Sequence, residues 1–418
     1  MRTVEEHQRV VADLIAAGRP VTVGLAEAEG RVLSDDVAAP LSLPVFDNSA
    51  MDGYAVRAED VTGADADNPV KLPVAEDIPA GRTDPLTLAP GTAHRIMTGA
   101  PLPAGATAVV AVELTDGGTE TVEIRSSARE GQHIRRAGED VTAGATVLRA
   151  GHVVTPAALG LAAALGLGSL TVVPRQRVLV MSTGSELVSA GTDLKPGQIY
   201  ESNAIMLAAA VREAGGEVVA SPTSSDDVVQ FSAVLEGYAG QADLIITSGG
   251  VSAGAYEVVK DAFGGSADGR RPSGSSAVEF VKVAMQPGMP QGAGRLNGAG
   301  RPATSGLGTP IITLPGNPVS ALVSFEVFVR PALRAAMGLP NPHRPRRNAV
   351  LTEGLTSPKG KRQFRRGVYD AAAGTVTTYG PPASHHLRWL ASANCLLEIA
   401  EDVTEMAAGE QVQLWDLT

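Results

Sequence analysis

The rhythm of hydrophobic and polar positions changes three times along the chain. Thr3 followed by Glu6 fits a capping box, in which each side chain satisfies a donor of the first helical turn. The helix it opens is expected to run to about Ala17 and stop at Gly18, and a second short helix, Val23 to Glu29, to end at Gly30. From Pro44 to about Ala143 the apolar runs become short and β-like: Val70 to Ala75, Thr92 to Met97, Ala108 to Leu114 and Thr121 to Ile124, separated by Gly, Pro and Asp. From Arg177 onward strands and helices alternate. Val178 to Met181, Glu217 to Ala220 and Asp243 to Thr247 read as strands, with helices from Ala204 to Ala214, capped by Asn203, and from Asp226-Asp227 toward Tyr238. Such alternation predicts parallel βαβ units covered by helices. Leu314-Pro-Gly-Asn-Pro-Val-Ser320 leads into a long apolar helix, with Asn317 as N-cap, Pro318 at the first helical position and Pro331 kinking or ending it. After Pro340-Asn-Pro342 the pattern is β again, through Val350 to Thr352, Arg366 to Tyr369, Thr375 to Thr377, Leu396 to Ile399 and Gln411 to Trp415.

The fold class expected from this is multidomain α/β plus β. Residues 1–43 with 144–173 form a helical and linker part, 44–143 an inserted β domain, 174–339 an α/β domain and 340–418 a C-terminal β domain. At ~100–200 residues per domain, the 418 residues suit this division. Val153 to Pro174 carries no charge and is long enough to span a bilayer, but its Ala and Gly content and Pro156 favour a buried helix followed by a strand, Leu170 to Val173. Two low-complexity stretches, Gly264 to Ser276 and Gly292 to Gly308, read as mobile loops.

Composition narrows the chemistry. Aromatics make up 4% of the chain, so its cores must be built from Ala, Val, Leu and Ile. Lys and Arg total 34 against 45 Asp and Glu, a net charge of −11 with no dense basic stretch, which argues against a nucleic-acid partner. An anionic ligand would then need local cations or a metal to offset the long-range repulsion. The single cysteine, Cys395, lies in an apolar run and reads as core filler; one cysteine forms no disulfide framework. The amino terminus has no apolar signal segment, so a cytoplasmic protein is expected.

Generic signatures are absent: there is no GxxxxGK[ST], no HExxH and no metal-ligand spacing among the seven histidines, and His385-His386 reads as a surface pair. What remains is three glycine-containing loops. Ser182-Thr183-Gly184-Ser185-Glu186 and Ser248-Gly249-Gly250-Val251-Ser252 each follow a strand, and Pro315-Gly316-Asn317-Pro318 precedes a helix. Each fits an ordinary tight turn. Together they also fit one crevice, in which backbone N–H groups and helix N-termini bind an anion. Glu186, Asp226 and Glu257 fall just after predicted strands. Beside a polyanion their charges would need a divalent ion, and magnesium suits all-oxygen ligands. In the β insert, Asp47, Asn48, Ser49 and Asp52 form a polar cluster within a segment that is a poor strand and a poor helix, open to reading as Asx-type turns.

Asn48-Ser-Ala-Met-Asp-Gly-Tyr-Ala55 is similar to the hallmark of the molybdopterin molybdenumtransferase (MoeA) family, which includes the E domain of gephyrin. Arg95-Ile-Met-Thr-Gly-Ala-Pro101, Ala137-Gly-Glu-Asp140, Ser182-Thr-Gly184 with Glu186, Pro196-Gly-Gln-Ile-Tyr200 with Ser202-Asn203, Ser248-Gly-Gly-Val-Ser252 and Pro315-Gly-Asn-Pro-Val-Ser320 follow in the family's order. Gly360-Lys-Arg-Gln-Phe-Arg-Arg366 and Ser384-His-His-Leu387 also resemble family features. The resemblance covers essentially the whole chain. It implies a doubly wound, adenylyltransferase-like central domain in a homodimer, with each site shared between subunits. It implies insertion of molybdate into adenylyl-molybdopterin with Mg2+, releasing AMP and molybdenum cofactor. The molybdopterin adenylyltransferase and apo-molybdoenzymes would be its protein partners. Carried over by motif, Asp52, Thr98, Asp140, Glu186, Asp226 and Glu257 are the expected catalytic residues, with Glu186, Asp226 and Glu257 on the metal. Ser182, Thr183, Gly184, Ser248, Gly249, Gly250, Val251, Ser252, Lys282, Pro315, Gly316, Asn317 and Pro318 are the expected substrate-binding residues.

The sequence departs from the family pattern in three places. Ala253-Gly254-Ala255-Tyr256-Glu257 stands where the family usually has Val-Gly-Asp and a further Asp, which leaves the acidic role to Glu257. Gln286 and Met289 stand where two lysines are common, with Lys282 retained just before. Gly292 to Gly308 is a longer linker than the site needs. Two other functions compete: a non-catalytic scaffold or inactive paralogue, and an adenylyltransferase, against which the β insert and the C-terminal domain argue.

Overall fold

Three apolar runs, Arg177–Thr183, Leu244–Ser248 and Thr309–Leu314, are too hydrophobic to face water on either side, and they pair as neighbours. In the computed structural model, which describes all residues except 239, 251–257, 264–276 and 297–307, they form the middle of a seven-stranded sheet. The strand order is Glu217–Ala220, Arg177–Thr183, Leu244–Ser248, Thr309–Leu314, Pro290–Leu296, Ala277–Lys282, with Thr223–Ser224 also on Arg177–Thr183. The first four are parallel, as the βαβ pattern predicts, and the last two join through antiparallel pairings, so the sheet as a whole is mixed. Helices cover both faces. Val4 and Val11 of the first helix, Leu207 and Val211 of Asn203–Glu213, and Val319 and Val323 of Pro318–Ser324 pack on Val178, Val180, Ile246 and Ile312. Phe231 and Leu235 of Val228–Gly237, with Val258 and Val259, pack on Leu179, Met181, Ile245 and Ile311. Each such side chain, fully buried, contributes roughly 1.5–3 kcal/mol.

The chain separates into two compact units. One comprises residues 1–23, 30–34 and 171–418, the other residues 24–29 and 35–170. The first helix, Val4–Leu14, opens with the expected capping box between Thr3 and Glu6 but stops at Ile15, one turn early. Its apolar stripe joins the core of the α/β sheet. In the same unit the C-terminal strands close into a barrel: Arg362–Asp370, Thr375–Thr378, Arg346–Leu351, Gln411–Asp416 and Cys395–Ile399, the last pairing back to the first. Cys395 is inside this barrel, and burial pushes its thiol up to about 12, as inert core filler requires. Phe364 and Trp415 meet edge to face at 5.3 Å and carry the barrel's packing into the main core.

Two local expectations turn out differently, each for an identifiable reason. Of the two outcomes expected at Pro331, a kink or an end, the helix does not end; it is interrupted by a π-helical turn, Phe325–Val329, and resumes as Arg330–Ala336. Gly292 to Leu296, read as the start of a loop, lies inside the strand Pro290–Leu296. A Cβ on Gly292 would meet the Phe280 ring at 3.0 Å and Thr313 at 3.1 Å, so its glycine permits close strand packing. The rest of that stretch to residue 307, and Gly264 to Ser276, lie outside the described residues. Among the described residues no helix is long and apolar enough to cross a membrane. The helix Pro156–Ala164 is followed by the strand Ser169–Val172.

In the second unit a five-stranded sheet runs Ala108–Ala111, Gly53–Val56, Ala93–Ile96, Val70–Ile78, Thr121–Ile124, parallel only between Ala93–Ile96 and Val70–Ile78. Gly53 is required there: a Cβ would fall 2.0 Å from the Val110 carbonyl oxygen.

Candidate active site

In a doubly wound sheet the crevice opens where the strand order reverses, outside the carboxyl ends of the two strands that diverge. Here those strands are Arg177–Thr183 and Leu244–Ser248, whose connections leave toward opposite edges. A cleft of about 1010 Å³ lies at that point. Ser182, Thr183, Gly184, Ser248, Gly249, Gly250, Pro315, Gly316, Asn317 and Pro318 all line it, so the three glycine-containing loops do share one crevice.

Their backbone donors are less available than the sequence suggested. Gly249 N–H donates to the Leu314 carbonyl at 3.0 Å and Gly184 N–H to that of Ser224 at 3.0 Å. Pro318 has no N–H, and Val319 N–H donates to the Ser384 carbonyl at 3.1 Å. Asn317 occupies the N-cap without a side-chain cap bond. The loops therefore bind one another first, and much of what they offer a ligand is side chains. Asn203, expected as a helix cap, is instead the brace: its Nδ2 donates to Ser248 Oγ at 2.7 Å and to the Gly316 carbonyl at 2.6 Å, tying two loops together.

Carboxylates dominate the cleft. Glu186 is exposed on its wall and folds back against Gly184, where a Cβ would meet its oxygens at 2.7 and 2.8 Å. Asp226 and Ser185 interlock: Ser185 N–H donates to Asp226 Oδ2 at 2.9 Å, and Asp226 N–H to Ser185 Oγ at 3.1 Å. Glu201 is buried, and its Oε1 accepts from Ser182 Oγ at 2.7 Å and from Ala204 N–H at 2.6 Å. Lys361 brings an opposing charge from the barrel strand's edge, and Gln286, Met289, Ser384 and His385 complete that side.

Lys282 does not line the cleft; it ends the edge strand Ala277–Lys282 with its side chain exposed. Val251, Ser252 and Glu257 lie outside the described residues. Glu201, Lys361, Ser384 and His385 were not singled out as site residues from sequence. Glu201 does stand directly between two matched segments, and Lys361 and Ser384 lie within C-terminal features that the resemblance marked.

Asp52, Thr98 and Asp140 belong to the other unit. There Asp52 Oδ1 accepts both Thr98 N–H and Thr98 Oγ1, each at 2.7 Å. The backbone donor first, then the hydroxyl, hold the Asp52 carboxyl below its ordinary range. Asp47 is likewise held low by Ala137 N–H and then by Arg136. Asp140 is exposed, and its carboxylate has no partner among the described residues.

Magnesium keeps several waters and takes one or two carboxylates plus substrate phosphates, so it does not need an all-protein cage. Among the described residues no group of three His, Cys, Asp or Glu could hold a metal. Glu186 and Asp226 on one cleft wall fit a substrate-assisted site of this kind, and they do not fit a preformed one.

Comparison with known proteins agrees along the whole chain. Residues 2–166 match a family described as the MoeA N-terminal region (domain I and II), residues 179–335 a probable molybdopterin binding domain, and residues 348–417 the MoeA C-terminal region (domain IV). The chain is 72% identical over 418 residues to molybdopterin molybdenumtransferase 2 of Mycobacterium tuberculosis, covering 100% of both. It is 34% identical to the molybdopterin molybdenumtransferase of Haemophilus influenzae, over 94% of this chain and 92% of that one. A crystal structure of a molybdopterin biosynthesis moeA protein from Pyrococcus horikosii superposes with a TM-score of 0.77 at 28% identity, covering 100% and 99%. With both ends and the middle matched in order and curated relatives aligned end to end, the chain belongs to the molybdopterin molybdenumtransferase (MoeA) family.

Proposed function

We propose that this protein inserts molybdate into adenylyl-molybdopterin and releases AMP and molybdenum cofactor. The observation that carries the reading is the cleft at the sheet's reversal point, where Glu186 and Asp226 share one cavity with Lys361, in a chain that matches the family over all its regions. The loops at Thr183–Gly184, Ser248–Gly250 and Pro315–Pro318 form the bed for the nucleotide and its phosphates. Ser384 offers a hydroxyl and Lys361 a cation to the anionic substrates, while Ser182, its proton donated to Glu201, fixes the cleft floor. Glu186 and Asp226, with Glu257 assigned the same duty, would hold magnesium beside the substrate. When bound, that ion would supply charge neutralisation at the substrate phosphates.

Asp52, Thr98 and Asp140 complete the site in a homodimer, each cleft taking them from the partner copy. In this reading residues 1–43 with 144–173, 44–143, 174–339 and 340–418 are four domains, and the enzyme works in the cytoplasm. There it receives substrate from the molybdopterin adenylyltransferase and passes product to apo-molybdoenzymes.

The test is direct. Purified protein is incubated with adenylyl-molybdopterin, molybdate and magnesium, and AMP release is followed. Stoichiometric AMP with formation of a cofactor able to activate an apo-molybdoenzyme is expected. Failure to release AMP from intact substrate would overturn the reading.

A further inference from the structure

The strand Arg362–Asp370 holds a buried charge that the cleft chemistry does not use directly. Arg366 is 3% exposed, and its guanidinium donates to three backbone carbonyls of one loop: Pro381, Ala383 at 3.2 Å and His386 at 3.4 Å. No carboxylate pairs with it among the described residues, and its Nε has no partner. Burial first, and then the neighbouring Arg365, work against its charged form. The same residue holds the loop's start, since Tyr379 N–H donates to the Arg366 carbonyl at 2.9 Å. On its other side the loop is fixed by the Ser384 carbonyl, which accepts Val319 N–H at the first turn of the helix Pro318–Ser324. Between these anchors Ala383, Ser384 and His385 line the cleft.

Burying a cation without an anionic partner is costly, and here the three loop carbonyls are what offsets that cost. A guanidinium can serve three carbonyls in one plane, which a point charge on a flexible stem cannot reproduce. We propose that Arg366 is a positioning residue for the active cleft: it fixes the 379–387 loop so that Ser384 and His385 meet the anionic substrate from the barrel side. The proposal rests on the function argued above for the cleft.

The test compares wild type, Arg366→Lys and Arg366→Met as full-length protein. AMP release gives kcat and KM for adenylyl-molybdopterin, and hydrogen exchange reports residues 379–387 separately from the rest of the barrel. Removing a positioning group without touching the reacting atoms should raise KM by about fivefold or more in Arg366→Met, with kcat within about twofold. Exchange should quicken in residues 379–387 and stay unchanged in Cys395–Ile399 and Gln411–Asp416. Arg366→Lys should fall between the two proteins in both measurements. Unchanged KM with quickened exchange, or with lowered thermal stability alone, would make Arg366 a purely structural residue and overturn the proposal. If Arg366→Met does not fold, Arg366→Lys decides, and a wild-type KM there overturns it. Should the wild type itself release no AMP, the functional reading fails first. Exchange then judges the loop alone, and unaltered exchange in 379–387 removes Arg366 from any role in holding it.

Discussion

Glu201 accepts the Ser182 hydroxyl at 2.7 Å on the same carboxylate oxygen that receives Ala204 N–H at 2.6 Å. A strand end and a helix start are therefore pinned to one buried atom at the cleft floor. In Glu201→Ala both donors lose their acceptor, and each buried unsatisfied group costs about 1–3 kcal/mol. In Glu201→Gln the amide oxygen still accepts both. Urea denaturation should thus show a clear loss of stability for the alanine variant and a much smaller one for glutamine. Equal midpoints for Glu201→Ala and wild type would mean the bonds contribute nothing.

The second prediction concerns the cleft's sign. Glu186, Glu201 and Asp226 line it against Lys361 as its one lysine or arginine among the described residues. A polyanionic substrate entering there meets net repulsion unless a divalent ion lies between. Turnover should vanish in EDTA and return with magnesium. Glu186→Gln should weaken magnesium binding and so raise the concentration needed for half-maximal rate. Full activity in chelator, with the protein's metal content assayed, would remove the ion from the mechanism.

How much of this was legible in the sequence depended on how local each feature is. The capping box at Thr3 and Glu6 and the Asp227 N-cap, which accepts from Gln230 N–H at 2.8 Å, span three residues and were readable directly. Asn203 looked like another cap because it precedes an apolar helix. Its actual partners, Ser248 and Gly316, are 45 and 113 residues away, and no local pattern encodes that. Gly292 to Leu296 carries no β-branched residue, and at Gly292 the neighbouring Phe280 and Thr313 leave no room for a side chain. The motif residues at Ser182, Ser248 and Pro315 did converge on one cleft. Lys361 and Ser384 reach it from the barrel through tertiary packing, and Lys282 does not.

The third prediction is a pH dependence from the first helix. His7 is fully buried, edge-on to Phe328 at 4.7 Å, with Arg2 3.4 Å from its Nδ1. Burial, and then the charge of Arg2, push the imidazole down to about 4 from 6.5. Below pH 6.5 the unfolded chain takes a proton that the folded chain refuses until about pH 4. Stability is therefore full above 6.5 and declines as pH falls to about 4, by roughly 3 kcal/mol on a scale of ~1.4 kcal/mol per pH unit. His7→Gln should flatten that part of the curve while lowering stability at neutral pH. Parallel curves for the two proteins between pH 7 and pH 4 would show that His7 does not titrate this way.

The last prediction turns on Gln286 and Met289, which line the cleft where the family commonly carries lysines. Gln286 pairs with the barrel strand Arg362–Asp370, just after Lys361, and Gln363 Nε2 donates to its Oε1 at 3.5 Å, a long and easily replaced contact. An added ammonium about 4 Å from a substrate oxygen would gain ~4 kcal/mol at an effective dielectric near 20 before desolvation is subtracted. Measured pairs at such open positions keep only about 0.2–1 kcal/mol. That converts to roughly a few-fold in affinity, not orders of magnitude. Ground-state and transition-state binding should gain alike, so KM falls while kcat stays nearly constant. Gln286→Lys combined with Met289→Lys should therefore lower KM for adenylyl-molybdopterin a few-fold at low salt. The gain should shrink as salt shortens the Debye length toward about 3 Å at 1 M. If KM at low ionic strength is unchanged, the substrate's charge is not near these two positions, and among the described residues Lys361 is the lysine or arginine that lines the cleft for it to meet.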